Sequence, residues 1–240
     1  MNKVNIIDYV KDKFKDYYLI EGSPSPDLIA TIATRYLVDN LKMHKIAHVE
    51  SPGIVPVVRI NKGITEHPIR IYASKEYKLL VLLSDQVIDA RQIYGFSNAL
   101  IKWAEKKKVK GIISLLGMAP NTNMQGIFGA SNTKQASELL RQNNIQILES
   151  GLISGVSAEL LILAKNIDCH ILLANPRNST NFDGAAKLLE LLSKMFGFKI
   201  DLRPLEQESK KIISAIKEKM QQMQKQQAAK KEDTKSLMFT

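Results

Sequence analysis

Residues 78–84 read Lys-Leu-Leu-Val-Leu-Leu-Ser, an apolar run of strand length with no alternation. A strand of that kind is covered on both faces. Residues 170–174, His-Ile-Leu-Leu-Ala, repeat the pattern. Two such strands require a sheet with a packed layer on each side, so helices have to be interleaved with strands along the chain.

The rest of the sequence meets that requirement. Residues 17–21 predict a strand, ended by Gly22-Ser23-Pro24-Ser25-Pro26, a turn by composition. Residues 27–41 place apolar side chains at 28, 29, 32, 33, 36, 37 and 41, the spacing of a helix face, with Asp27 as the candidate cap. Residues 45–49, 55–60 and 69–73 read as strands of a meander. Residues 92–107 predict an amphipathic helix and 109–116 the strand after it. A polar loop is expected over 117–129, a helix over 131–143, a strand over 145–148 and a glycine-bounded turn over 151–155. Helices follow over 158–165 and 183–196, the second closed by Gly197. The fold class expected is α/β, three layers deep, with a mostly parallel or mixed sheet flanked by helices.

Past Pro204 the character changes: glycine and proline disappear, and lysine, glutamine and glutamate dominate. Ile213, Ile216, Met220 and Met223 keep a 3-4-3 spacing, a narrow seam of coiled-coil width. The domain reading is therefore an α/β body over 1–204, a C-terminal helix over 205–231 and a flexible tail over 232–240.

Composition narrows the class. The chain has 240 residues, enough for one or two domains with a real core. Its one cysteine, Cys169, excludes an internal disulfide and a cysteine-based zinc site, which fits a reducing compartment. No apolar run reaches the roughly 18–20 residues of a spanning helix, and the charged N-terminus does not read as a signal peptide. The expectation is a cytoplasmic protein with no membrane partner. The formal charge of +10 raises the question of nucleic acid. The lysines are scattered and do not interleave with aromatics, so a solvated basic surface is the better reading.

A search for chemistry yields little. His44, His48, His67 and His170 sit in no metal-ligand spacing, and no metal or cofactor is expected. Cys169 and His170 are adjacent on a strand and so point to opposite faces. Phosphate-binding glycine loops and nucleophile elbows are missing from the sequence. Asp85 and Asp89 follow a buried strand, where α/β enzymes often hold their sites. They are equally able to form loop ion pairs, Arg91 being close by.

Several motifs carry a family resemblance. Glu21-Gly22-Ser23-Pro24, ahead of a helix with Ile32-Ala33, resembles the opening of the proteasome assembly chaperone family. Pro68-Ile69-Arg70-Ile71-Tyr72 and the strand to Leu83-Ser84 are similar to its next segment, and Gly151-Leu152-Ile153-Ser154-Gly155 to its middle. Ala174-Asn175-Pro176-Arg177, Phe182-Asp183-Gly184-Ala185-Ala186 and Phe198-Lys199-Ile200-Asp201 look like its closing strand, loop and helix. The resemblance spans about residues 18–205. It implies a fold related to nucleoside phosphorylases, self-association (a tetramer being the favoured homo-oligomer) and partnership with α subunits of the proteasome core particle. The archaeal branch, with long C-terminal tails, fits best.

The ending Met238-Phe239-Thr240 resembles the hydrophobic–tyrosine–any-residue tails of proteasome activators, with Phe in place of Tyr. On physical grounds, an apolar pair and a carboxylate at the tip of a polar segment suit insertion into a pocket. The weaker grip of Phe is offset if an oligomer presents several tails, bundled through Ile213, Ile216, Met220 and Met223. The first reading is thus a non-enzymatic chaperone or activator of the proteasome. The alternative is a nucleoside- or small-metabolite-acting enzyme with its site at residues 117–129, Asp85 and Asp89. Nucleic-acid binding comes third.

Overall fold

A computed structural model of the chain describes residues 3–52, 57–118, 126–175, 181–210 and 213–214. The strands are β1 (Asn5–Asp8), β2 (Tyr18–Gly22), β3 (His44–Glu50), β4 (Arg59–Asn61), β5 (Ile64–Glu66), β6 (Ile69–Ser74), β7 (Leu79–Ser84), β8 (Gly111–Gly117), β9 (Gly126–Ser131), β10 (Gln146–Ile147) and β11 (Asp168–Asn175). The helices are α1 (Ile29–Asn40), α2 (Ile93–Lys106), α3 (Glu138–Gln142), α4 (Val156–Leu163) and α5 (Asn181–Phe196). Among the described residues, no helix is long and apolar enough to cross a membrane.

Nine strands form one sheet in the order β1-β3-β6-β7-β2-β8-β11-β9-β10, and β4 pairs with β5 apart from it. At the centre, β7, β2, β8 and β11 run parallel. On one side β6, β3 and β1 continue antiparallel. On the other, β9 is antiparallel to β11 and carries β10 parallel to itself. The sheet is therefore mixed, the second of the two expected forms, with its continuous parallel run in the central block. The short link from Ser74 to Leu79 leaves room only for an antiparallel return.

The apolar runs do what their composition demands. Along β7, Leu79, Val81 and Leu83 join the core under α1 and α5, while Leu80 and Leu82 join the core under α2 and α4. β2 divides the same way, with Ile20 on the first side and Leu19 on the second. This period of two on a strand without polar positions is what makes three layers obligatory. Each fully buried Leu or Ile contributes about 1.5–3 kcal/mol relative to exposure. The helices pair within their layers, α1 with α5 and α2 with α4.

Several elements differ from expectation. The strand expected over 55–60 is not in the meander: Arg59–Asn61 pairs with Ile64–Glu66 through a two-residue loop, Lys62-Gly63, in which both residues have positive φ. That is the hairpin geometry matching strand twist; residues 53–56 lie outside the described part. The helix expected over 131–143 shortens to α3. Asn132 bonds instead to the carbonyls of Ala164 and Ile167, and Thr133 Oγ1 accepts the Ala136 N–H, so both side chains compete with the helix ladder. β9 starts inside the loop expected over 117–129. β1, on the sheet edge, is too exposed to show an apolar pattern.

After α5, Gly197 takes a positive φ as expected of a helix end. The chain then returns to the α1 layer, where the Tyr36 hydroxyl donates to the Asp201 carbonyl and Leu205 is buried. Residues 205–210 are helical. Ile213, read from sequence as part of an oligomer seam, is half-buried against the α1–α5 core of its own chain. Ile216, Met220 and Met223 lie outside the described residues, as do Met238, Phe239 and Thr240.

The close packing of α1 on β2 is testable. A Cβ on Gly22 would lie 2.5 Å from Thr34 Cγ2 and 2.8 Å from the Ala30 carbonyl oxygen. Gly22→Ala is expected to cost about 1–3 kcal/mol through that overpacking, read as a lower denaturant midpoint.

Candidate functional site

In the parallel block the carboxyl ends of β2, β7 and β8 face the same way, and the loops beyond them gather there. That edge is where open α/β sheets place ligands. A cleft of about 580 Å³ opens at this edge, between the segment after β2, the segment after β7, the end of β8 and the β10–α4 connection. Its volume lies within the range of small-molecule sites.

Glu21 sits in this cleft at the last turn of β2 and is 1% exposed. Its carboxylate accepts the Ser23 N–H at 2.6 Å and the Ser114 hydroxyl at 2.5 Å. Ser114 in turn lies 2.7 Å from Ser157 Oγ at the start of α4. Asp27 borders the same space. Its Oδ1 accepts the Ile29 N–H at 2.9 Å and Oδ2 accepts the Ser25 hydroxyl at 3.1 Å; the N-cap position expected for Asp27 is taken instead by Leu28, at positive φ, so Asp27 bonds the first helical N–H from one residue further out. A Cβ on Gly117 would come within 2.5 Å of the Asp27 carboxyl carbon, so a larger residue there would displace the Asp27 side chain.

The two acids singled out after β7 do not act together. Asp85 is buried and held by Arg35 of α1, by Arg70 of β6 at 2.8 Å and by Arg59 at 3.4 Å. Burial pushes its carboxyl up, but the Arg35 and Arg70 guanidinium groups outweigh it and hold the pKa below the ordinary value. Arg70, also 1% exposed, donates further to Tyr72 Oη and the His67 carbonyl. Asp89 instead turns to solvent and pairs with Arg91 at 2.9 Å, which pulls it down to about 2. A carboxylate locked between arginines is a poor proton acceptor, so this cluster is a fold determinant.

Cys169 and His170 point apart, as the strand pattern requires. Cys169 belongs to the α2–α4 core, and burial, helped by the charge of Glu21, pushes its thiol up to about 12. A thiol in that state is no nucleophile. His170 Nδ1 lies 2.8 Å from Ser131 Oγ, and burial, partly opposed by Asp168, pulls its pKa down to about 4.

Sequence spacing did not reveal that His48 and His67 stack, with ring centroids 3.7 Å apart. With Glu50 they place three potential ligand atoms within 4.8 Å. Burial lowers the His67 pKa, and His48, Lys45 and Arg70 add to the shift, Glu50 opposing it. That positive surrounding opposes a dication, and His48 Nε2 already meets Glu50 Oε1 at 2.9 Å.

The sequence profile of the PAC2 family matches residues 19–220. The chain belongs to the PAC2 family. An uncharacterised protein of Methanocaldococcus jannaschii is 29% identical over 231 residues, covering 92% of this chain and 93% of its own. Among solved structures, Pyrococcus furiosus PbaA, described as an archaeal homologue of proteasome-assembly chaperone, superposes with a TM-score of 0.78 at 24% identity, covering 92% of this chain and 98% of PbaA. Pyrococcus furiosus PbaB, described as an archaeal proteasome activator, gives 0.72 at 20% identity, covering 91% and 99%. These likenesses establish the PAC2 fold for this chain, a large mixed sheet flanked by helices.

Two substitutions separate the acids of this PAC2 protein. Asp85→Asn strips the counter-charge from buried Arg35 and Arg70 and is expected to cost about 3–5 kcal/mol. Asp89→Asn, at the surface, should change stability by less than about 0.5 kcal/mol. Urea denaturation of both variants checks this.

His170 makes the fold acid-sensitive. Above pH 6.5 it is neutral in both folded and unfolded chains. Below 6.5 the unfolded chain takes up a proton that the folded one refuses until about pH 4. Stability therefore falls as pH drops through that window, by about 3 kcal/mol. His170→Gln should flatten this part of the profile, measured as denaturant midpoints by circular dichroism between pH 7 and 4.

Proposed function

We propose that this PAC2 protein is a non-enzymatic partner of the proteasome core particle, engaging the α ring through the C-terminal tails of a homo-oligomer. The observation that carries the reading is the family match over residues 19–220. The fold shared with PbaA and PbaB over nine-tenths of the chain adds to it. The sequence adds the tail, a polar stretch ending in Met238-Phe239-Thr240. Phe239 supplies the largest apolar surface of the tip and Thr240 its carboxylate, which suits a lysine-bearing pocket between adjacent α subunits. Several tails on one oligomer raise the effective concentration of each at the ring. Ile216, Met220 and Met223 are the positions proposed to bundle the tails as they leave the body, and Ile213 anchors the start of that segment. The enzyme reading loses its main support, since Asp85 is locked by arginines and Asp89 faces solvent with Arg91.

The test is surface plasmon resonance against immobilised core particle, run beside a peptidase assay. Phe239→Ala removes burial worth about 1.5–3 kcal/mol per tail, an expected loss of at least tenfold in affinity. Deleting residues 238–240 should abolish binding while leaving oligomer size unchanged. Phe239→Tyr should retain it. Faster peptide hydrolysis in the bound state identifies a gate-opening activator, and binding without it an assembly factor. Full affinity after the deletion would refute the tail mechanism.

A further inference from the structure

We propose that the cleft at the carboxyl ends of β2 and β8 is a binding site for a small organic cation, an amine with an apolar body. The inference rests on the cleft itself and is independent of how the tails act. Its charge is the deciding feature. The chain as a whole carries +10, yet among the described residues no Lys, Arg or His lines the cleft, and two carboxylates do, Glu21 and Asp27. Among the described residues neither is paired with a cation, although Asp85, one strand away, is paired with three.

An isolated carboxylate is expensive to bury, and hydrogen bonds alone offset only part of that cost. Glu21 has two, from Ser23 N–H and the Ser114 hydroxyl, and a carboxylate offers about four acceptor positions. Its charge is also felt beneath the cleft floor, where it adds to the upward shift of the Cys169 thiol. A ligand ammonium beside Glu21 and Asp27 would neutralise a negative field that the protein leaves uncompensated. Ser23 Oγ, also lining the cleft, is buried with no hydrogen-bond partner in the structure and is free to accept from the same group.

The remaining lining sets the rest of the ligand. Val87, Ile88, Leu116, Leu148, Ile153 and Val156 form apolar walls. They suit a hydrocarbon or aromatic body, and the described lining offers no cation to a phosphate or carboxylate. The site is thus specified by two carboxylates and an apolar lining in one cleft.

The experiment uses three isosteres on the full-length protein: phenethylamine, 2-phenylethanol and phenylacetate, titrated by isothermal calorimetry at pH 7 in low salt, with adenosine and inorganic phosphate as further arms. The expected result is saturable one-to-one binding of the amine, at least tenfold weaker binding of the alcohol and none of the acid, adenosine or phosphate. Glu21→Gln keeps the shape of the cleft floor, and Asp27→Asn keeps an acceptor for the Ile29 N–H. Each should weaken the amine at least fivefold, with folding checked by circular dichroism. The proposal is overturned if the alcohol, the acid, adenosine or phosphate binds as well as the amine. It is equally overturned if no amine binding saturates below 10 mM, or if both folded variants bind the amine as tightly as the parent.

Discussion

Two-sided burial of the central strands governs this protein. Because β7 and β2 carry apolar side chains on both faces, neither face can be left to water, and α1 with α5 has to close one side while α2 with α4 closes the other. Once both faces are sealed, polar chemistry has only the strand ends and sheet edges available. Ser114, midway along β8, lies beside Glu21 in the register, and Glu21 and Asp85 occur at or near the carboxyl ends of β2 and β7. There the hydrogen-bond ladder stops and backbone groups turn toward side-chain partners. The arginine cluster and the acidic cleft are two solutions to one problem, a carboxylate at the end of a buried strand. One is settled by guanidinium groups from α1 and β6, the other by hydroxyls and a backbone amide.

How far the fold is readable depends on where the energy lies. Buried elements announce themselves: β7, β11, α1 and α5 are found within a residue or two because their apolar spacing is set by packing they cannot avoid. Exposed or side-chain-bonded elements do not. β1 shows no apolar face because it lies at the sheet edge. The shortening of α3 hinges on the contacts of Asn132 with residues more than thirty positions away, which no local pattern contains. The β4–β5 hairpin has a local signal in Asn61-Lys62-Gly63, which the apolar residues before it outweigh.

The sites follow the same division. Family membership is legible from motif order, since Glu21-Gly22-Ser23-Pro24 and the glycine-bounded 151–155 segment lie where the PAC2 profile runs. Of the two acids after β7, Asp89 forms the loop ion pair with Arg91 that sequence proximity allows, whereas the partners of Asp85, Arg35 and Arg70, arrive from other elements. Glu21 escaped notice as a site residue even though a lone acid closing an apolar strand is itself a signal. Its partner Ser114 is 93 positions away in sequence, and Ser157, which bonds Ser114, is 43 further on. The pairing of His48 with His67 was hidden for the same reason, because it depends on the antiparallel register of β3 and β6.

The chain after α5 closes the α1 layer from a distance in sequence. Tyr36 of α1 holds the Asp201 carbonyl, and Phe198 and Leu205 are buried in the α1–α5 core. The segment that follows α5 is therefore a structural lid on α1 and belongs to the same cooperative unit as the sheet, since uncovering it would return those two side chains to water at about 1.5–3 kcal/mol each.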